Sequence, residues 1–265
     1  MSEILYGKHS VLEALRARRR KVHRVLIAEP ARGPQPAKEA NERARREETA
    51  ARHAEIESEA RSAGVTVERV LPARLDALTR VGQHHQGVAA EVSAFKYDTL
   101  AETVERCREA GPDALVLVLD TLQDPQNFGT LLRTSEAVGV TAVVILDRRQ
   151  VEVTPAVSNA SAGAVEHMSV CLANNLARAI EELKETGMWV YALQAEPGAQ
   201  TYTQADLRGA LGLVVGSEGR GVGRLVRERC DGALEIPMRG RIESLNAAVA
   251  GSVVLYEALR QRTAS

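Results

Sequence analysis

Aromatic residues are scarce in this sequence: one Trp, two Phe and five Tyr make up 3 % of its 265 residues. A protein that recognises nucleic-acid bases by stacking needs a platform of such rings, so that mode is disfavoured. Cysteine is scarcer still. Cys107, Cys171 and Cys230 are odd in number and far apart, and no CxxC or Cys/His cluster occurs. That pattern indicates neither a disulfide framework nor a structural zinc site, and no metal is expected. Each cysteine is read as a small buried apolar residue. Long apolar runs are missing too. Stretches such as 114–119 and 142–146 fall far short of the roughly 20 residues that cross a bilayer. The N-terminus, MSEILYGKHS, carries Glu3 and no apolar core of signal-peptide length, so a cytoplasmic protein without membrane attachment is expected. Net charge is nearly absent, 34 Lys+Arg against 35 Asp+Glu. With 45 % hydrophobic and 26 % charged residues, a wholly disordered chain is excluded. The length suits one large or two small domains.

The near-zero total hides an asymmetry. Residues 1–95 carry a net +4 and the remainder a net −5, and five of the six histidines lie in the first part. A basic binding module joined to a different kind of domain is the natural reading. The basic part opens on a helix signal: Ser10 and Glu13 are spaced as a capping box, and Val11, Leu12 and Leu15 make an apolar face. The run Arg16, Arg18, Arg19, Arg20, Lys21 follows. It reads either as cations at a solvated helix end or as a patch that contacts phosphates. A strand over 22–28 comes next, then a break at Gly33, Pro34 and Pro36. Residues 38–61 hold 13 charged residues. The pairs Glu39/Arg43, Glu42/Arg46 and Glu48/Arg52 fall at i,i+4, and Ile56 is the main large apolar residue, so 33–63 is expected as an exposed helical excursion. Gly64 ends it. A strand over 65–71, a short helix over 75–78 and a strand over 88–92 complete a first domain, 1–95. Between the last two, Gln83 to Gly87 reads as a polar loop, since His84 and His85 have no third ligand nearby. Residues 96–112 are expected as a linker with a short helix.

From 113 to 265 strands and helices alternate, which implies an α/β domain with a mainly parallel sheet. Strands are expected over 114–119, 141–146, 165–172, 189–193, 211–215 and 233–236. Helices are expected over 130–138, 155–164, 176–185, 224–229 and 244–262. In the last helix Leu245, Val249, Val253, Tyr256 and Leu259 keep helical spacing and should face a core or a partner.

Ligands in such sheets sit at the carboxyl ends of strands, and three segments there carry unusual residues. The first runs from Asp120 to Arg133. Asp124-Pro125 suits a helix start, and Asn127 and Arg133 lie close behind it, Arg133 reading either as a functional residue or as an ordinary surface one. The second, Gly216-Ser-Glu-Gly-Arg-Gly-Val-Gly223, fits neither GxxxxGK[ST] nor GxGxxG. Its glycines either let the backbone approach a ligand closely or make a flexible turn. The third, Ile236 to Asn246, leads into the last helix. Ser244 is the expected N-cap, and Asn246 is placed to donate to a ligand.

Taken together, these segments resemble the three motifs of the SpoU/TrmH (SPOUT) family of RNA ribose 2′-O-methyltransferases, in residues, order and spacing, over about 113–262. The Tyr-Gly-Lys-His-Ser-Val-Leu-Glu-Ala-Leu and Gly-Val-Ala-Ala-Glu-Val segments resemble that family's substrate-binding domain, which has a ribosomal-protein-L30e-like fold. The resemblance implies an α/β domain with a C-terminal trefoil knot and a pocket for S-adenosylmethionine (AdoMet) at Gly216, Ile236 and Leu245. It implies methyl transfer to a ribose 2′-OH, with a guanosine of 23S rRNA as the leading target and tRNA guanosine or rRNA adenosine as alternatives. A sulfonium leaving group is already activated, so the implied reaction requires no metal. Arg133 matches the family arginine that contacts the hydroxyl; a guanidinium keeps its proton up to about pH 12, which favours orientation over proton removal. Asn127, Glu218, Ser244 and Asn246 match the other polar motif positions. A homodimer sharing its active sites is implied as well. A non-catalytic RNA-binding protein is the alternative from another class, and the intact motif residues weigh against it.

Overall fold

The computed structural model describes residues 2–29, 40–79, 84–148, 150–242 and 244–264. The chain divides into two units, one of Met1–Lys96 with Ala162–His167, the other of Tyr97–Ser161 with Met168–Ser265.

The first unit contains β1 (Ser2–Tyr6), α1 (Lys8–Ala17), β2 (Val22–Ala28), α2 (Ala40–Ser62), β3 (Thr66–Val70), α3 (Pro72–Leu78) and β4 (Val88–Ser93). Its sheet runs β1-β4-β2-β3. β4 is antiparallel to both neighbours, and β2 and β3 are parallel. Parallel neighbours need a long crossover, and α2 is that crossover. It is therefore part of the fold and not an excursion from it: Ile56 and Ala60 are buried with Leu5, Val11, Leu12 and Leu15 in one core. Two apolar residues at i,i+4 made too narrow a stripe to reveal this amid so many charges. Glu48 and Arg52 do pair, at 3.5 Å. The break at Gly33, Pro34 and Pro36, the pairs Glu39/Arg43 and Glu42/Arg46, and Gln83 lie outside what is described.

The expected capping box at Ser10 does not form. α1 begins earlier, with Gly7 as N-cap at φ 86° and no side-chain cap. Ser10 is then buried in the first turn, while Glu13 pairs outward with Arg16 at 3.0 Å and His167 at 2.8 Å. Residues 165–167, expected to open a strand, instead form a 3-10 turn with Ala164 that belongs to this unit.

The second unit contains α4 (Leu100–Ala110), β5 (Leu115–Asp120), α5 (Pro125–Val138), β6 (Ala142–Leu146), α6 (Pro155–Ala160), β7 (Val170–Ala173), α7 (Leu176–Lys184), β8 (Trp189–Leu193), β9 (Gln200–Thr201), β10 (Leu211–Gly216), α8 (Arg224–Arg227), β11 (Gly232–Glu235) and α9 (Ala247–Thr263). Its seven strands run β7-β6-β5-β10-β8-β11-β9, every pairing parallel. β5 and β10 are buried along their whole length, as strands covered on both faces must be. The segment expected as a linker holds α4, which has a complete capping box between Thr99 and Glu102. Its Val104 and Cys107 join Val116, Val118 and Leu183 in the core. Burial pushes the Cys107 and Cys230 thiols up to about 11, which suits apolar filling and not nucleophilic work.

α9 packs on α5, where Thr134 and Ser252 share a hydrogen bond of 2.9 Å. The approach is close. A Cβ on Gly251 would stand 2.7 Å from Leu131 Cδ2. The buried residues of α9 are mostly small, Ala247, Ala248, Gly251, Val254 and Ala258, joined by Leu255 and Glu257. Of the large residues expected to face a core or a partner, Val249 and Tyr256 are about half exposed, at 48 % and 52 %. They do not serve the core, because they lie off the face that packs, which is centred on Gly251, Val254, Leu255 and Ala258.

Candidate active site

β10 lies between β5 and β8, and the carboxyl ends of β8, β10 and β11 open into a cleft of about 710 Å³. Its walls come from 193–195, 215–219, 234–236 and 244–247, with Gly221, Met238 and Ala250. Gly216, Ile236 and Leu245 line it, and so do Glu218, Ser244 and Asn246. Among the described residues no Lys or Arg lines it, while Glu218 and Glu235 do.

The glycine-rich loop is pinned and is not a free turn. Gly216 ends β10 opposite Asp120, and the chain folds back so that Ser217 bridges Gly221. A Cβ on Gly216 would lie 2.1 Å from the carbonyl of Gly221 and 2.4 Å from the nitrogen of Val222. Two side chains at strand ends hold the loop. Asp120, 6 % exposed, accepts the Gly223 N–H at 2.7 Å. Gln194 accepts the Val222 N–H at 3.0 Å. Neither was among the expected site residues. Asp120 did carry a signal, as the one charge closing an apolar strand; Gln194 carried none.

Asn246, not Ser244, is the N-cap of α9, which begins at Ala247. Its Oδ1 accepts the N–H groups of Ala248 at 3.0 Å and Val249 at 3.2 Å. That leaves Nδ2 free to donate, to Glu218 Oε1 at 2.5 Å and Asn127 Oδ1 at 2.9 Å. Asn127 in turn donates to the same Glu218 oxygen at 2.9 Å. Three residues from three segments thus close a triangle. Asn127 sits in the first turn of α5, where Asp124 caps the N–H groups of Gln126 and Asn127. Two helix N-termini, of α5 and α9, therefore carry the donors that meet one carboxylate, and the positive ends of their dipoles favour that charge. Ser244 is exposed in the loop ahead of the cap.

Arg133 stands apart from the triangle. It lies six residues beyond Asn127 on α5, roughly 120° around the helix, and is exposed. It makes no hydrogen bond or ion pair with another described residue and does not line the cleft. Among the described residues no group of three His, Cys, Asp or Glu could hold a metal, and no helix is long and apolar enough to cross a membrane.

Comparison with known proteins bears on this arrangement. The SpoU rRNA Methylase family model matches residues 114–256, and the model described as RNA 2′-O ribose methyltransferase substrate binding matches 4–54 and 45–98. The 23S rRNA (guanosine-2′-O-)-methyltransferase RlmB of Xanthomonas campestris pv. campestris is 47 % identical over 209 residues, 78 % of this chain and 83 % of that protein. The SpoU methyltransferase AviRb of Streptomyces viridochromogenes, solved with AdoMet, superposes with a TM-score of 0.75 at 20 % identity, covering 100 % of this chain and 92 % of the other. A structure described as an RNA 2′-O ribose methyltransferase gives 0.73 at 25 % identity, covering 99 % and 89 %. The parallel sheet, the pinned loop after β10 and the capped start of α9 thus occur in a chain whose larger part matches one family model throughout, and this chain belongs to the SpoU rRNA Methylase family.

Proposed function

We propose that this protein transfers a methyl group from AdoMet to a ribose 2′-OH of RNA, with a guanosine of 23S rRNA as target. The observation that carries the reading is the Asn127–Glu218–Asn246 triangle at a cleft lined by Gly216, Ile236 and Leu245. The lining suits AdoMet: its described residues offer backbone and apolar atoms with the carboxylates of Glu218 and Glu235 and no cation, a poor host for phosphates and a fitting one for a positively charged ligand. Gly216, Ile236 and Leu245 would hold the cofactor. When bound, AdoMet supplies an electrophilic methyl on a sulfonium leaving group.

The protein's own work is then placement and proton management. The triangle presents Glu218 with one oxygen committed to two amides and the other, Oε2, open to a hydroxyl. Ser244, exposed beside it, adds a donor to the ribose. Arg133 orients the hydroxyl and its neighbouring phosphate. Because Arg133 does not line the cleft of its own chain, a homodimer whose sites draw on both copies accounts for its role. The exposed Val249 and Tyr256 of α9 supply apolar surface for such a contact. Cytoplasmic RNA is the matching substrate pool.

Radiolabelled AdoMet with 23S rRNA should give one 2′-O-methylguanosine, located by mass spectrometry. Arg133→Ala should lose at least about tenfold in rate while AdoMet binding, read by calorimetry, stays as in the wild type, since a misplaced group costs catalysis and not cofactor affinity. Methylation of tRNA alone would overturn the rRNA assignment, and AdoMet binding with no transfer to any RNA would overturn the enzymatic one. Gly216→Ala tests the cleft. Its methyl has only backbone to displace, so a stability loss of about 1–3 kcal/mol and at least tenfold weaker AdoMet binding are expected. Unchanged cofactor affinity would contradict the placement.

A further inference from the structure

The loop that follows β10 is held at its far end from both neighbouring strands. Asp120, closing β5, accepts the Gly223 N–H, and Gln194, just past β8, accepts the Val222 N–H through Oε1. The two grips differ in kind. A carboxylate only accepts, so Asp120 needs no help to face an N–H. The Gln194 amide has an accepting end and a donating end. Turned over, it would set Nε2 against the Val222 N–H, donor to donor. Glu196 settles which end faces the loop. Its Oε2 accepts Gln194 Nε2 at 3.3 Å, while its Oε1 accepts Arg227 Nε at 2.9 Å and Nη2 at 2.5 Å. The Glu196 and Arg227 side chains are mostly buried, 24 % and 25 % exposed. Arg227 closes the circuit. It ends α8, whose N-cap is Gly223, and its N–H donates to the Gly223 carbonyl at 2.8 Å. The amide has no slack on the loop side either: a Cβ on Gly221 would stand 2.8 Å from Gln194 Oε1.

We infer that Glu196 and Arg227 are positioning residues for the cofactor: they fix the Gln194 amide, and through it the 216–223 loop, in the shape that receives AdoMet. The inference rests on the AdoMet reading of the cleft and deepens it. Neither Glu196 nor Arg227 lines the cleft, whereas Gln194, Gly216, Gly219 and Gly221 do, so their influence on a ligand passes through the amide. A loop already held in its bound shape has less freedom to lose on binding. The relay therefore acts on cofactor affinity and not on the methyl-transfer step.

The test is a double-mutant cycle in the full chain, read by calorimetric AdoMet affinity and by KM for AdoMet against kcat with 23S rRNA. Gln194→Leu leaves the Val222 N–H without an acceptor and should weaken AdoMet binding, and raise its KM, about tenfold. Glu196→Leu removes the group that orients the amide and should cost about fivefold. In both, kcat at saturating AdoMet should stay within about twofold of wild type, which a partly unfolded enzyme would not show. Glu196→Gln keeps an acceptor for Nε2 and gives up the charge. It should hold AdoMet within about twofold of wild type, which separates the hydrogen bond from the loss of a carboxylate near a cationic ligand. Because Glu196 acts through Gln194, the pair Gln194→Leu with Glu196→Leu should bind no worse than Gln194→Leu alone, where independent effects would multiply to about fiftyfold. Wild-type affinity in Glu196→Leu, an equal loss in Glu196→Gln, or full multiplication in the pair overturns the relay and leaves the AdoMet reading in place. A wild type that binds no AdoMet overturns both.

Discussion

Asn246→Asp should lower methyl transfer by about a hundredfold and leave α9 intact. The aspartate keeps an oxygen where Oδ1 now accepts the Ala248 and Val249 N–H groups, and a carboxylate at a helix N-terminus is at least as good a cap as an amide. What it loses is the Nδ2 donor. Glu218 Oε1 and Asn127 Oδ1 each lose a partner, and a second carboxylate arrives within contact distance of Glu218. A hydrogen bond to a charged group is worth about 1.5–3 kcal/mol, which is roughly 10- to 150-fold in rate, and the repulsion adds to it. Asn246→Ala removes the cap as well, at a further cost of about 1 kcal/mol in stability. The two variants separate the roles: both should lose activity, and only the alanine should lower the thermal midpoint. If Asn246→Asp kept a third of wild-type kcat/KM, the triangle would have no part in the reaction.

The second large effect is structural. Arg20→Met should destabilise the first unit by about 3–5 kcal/mol, the cost of stripping one partner from a buried ion pair. The side chains of Arg20 and Glu166 are both fully buried, with Nε donating to Oε2 at 3.0 Å, and Nη1 donates to Glu3 at 2.7 Å. Methionine fills the space and leaves the Glu166 carboxylate without its cation. Adding Glu166→Leu should recover most of the loss, because an apolar pair of similar size often serves as well as a buried ion pair. Denaturant unfolding followed by a probe in the first unit reads both changes. A loss below about 1 kcal/mol in Arg20→Met would mean that water or another group already compensates Glu166.

Much of this architecture was legible in residue order. The alternation of buried strand and helix from 113 onward follows from local rules: an unbroken apolar run makes β5, and Asp124-Pro125 and Gly139 bracket α5. Motif residues could be ranked as candidates because asparagine, glutamate and glycine at strand ends have few structural uses. The same local rules failed where two answers were equally good nearby. Ser244 and Asn246 are both sound caps, and Ser10 fits a capping box that the earlier start at Gly7 pre-empts.

What the sequence by itself determined is the class of most elements, the α/β layout and the identity of the polar groups, since these depend on periodicity and side-chain chemistry over a few residues. Only the tertiary structure decided which groups meet. It chose Asn246 as the cap because there its second amide atom reaches Glu218 and Asn127. It made α2 a crossover helix because β2 and β3 are parallel. It drew Arg16 and Arg20 into ion pairs because Glu3, Glu55, Glu59 and Glu166 arrive from distant segments, which no local pattern can show.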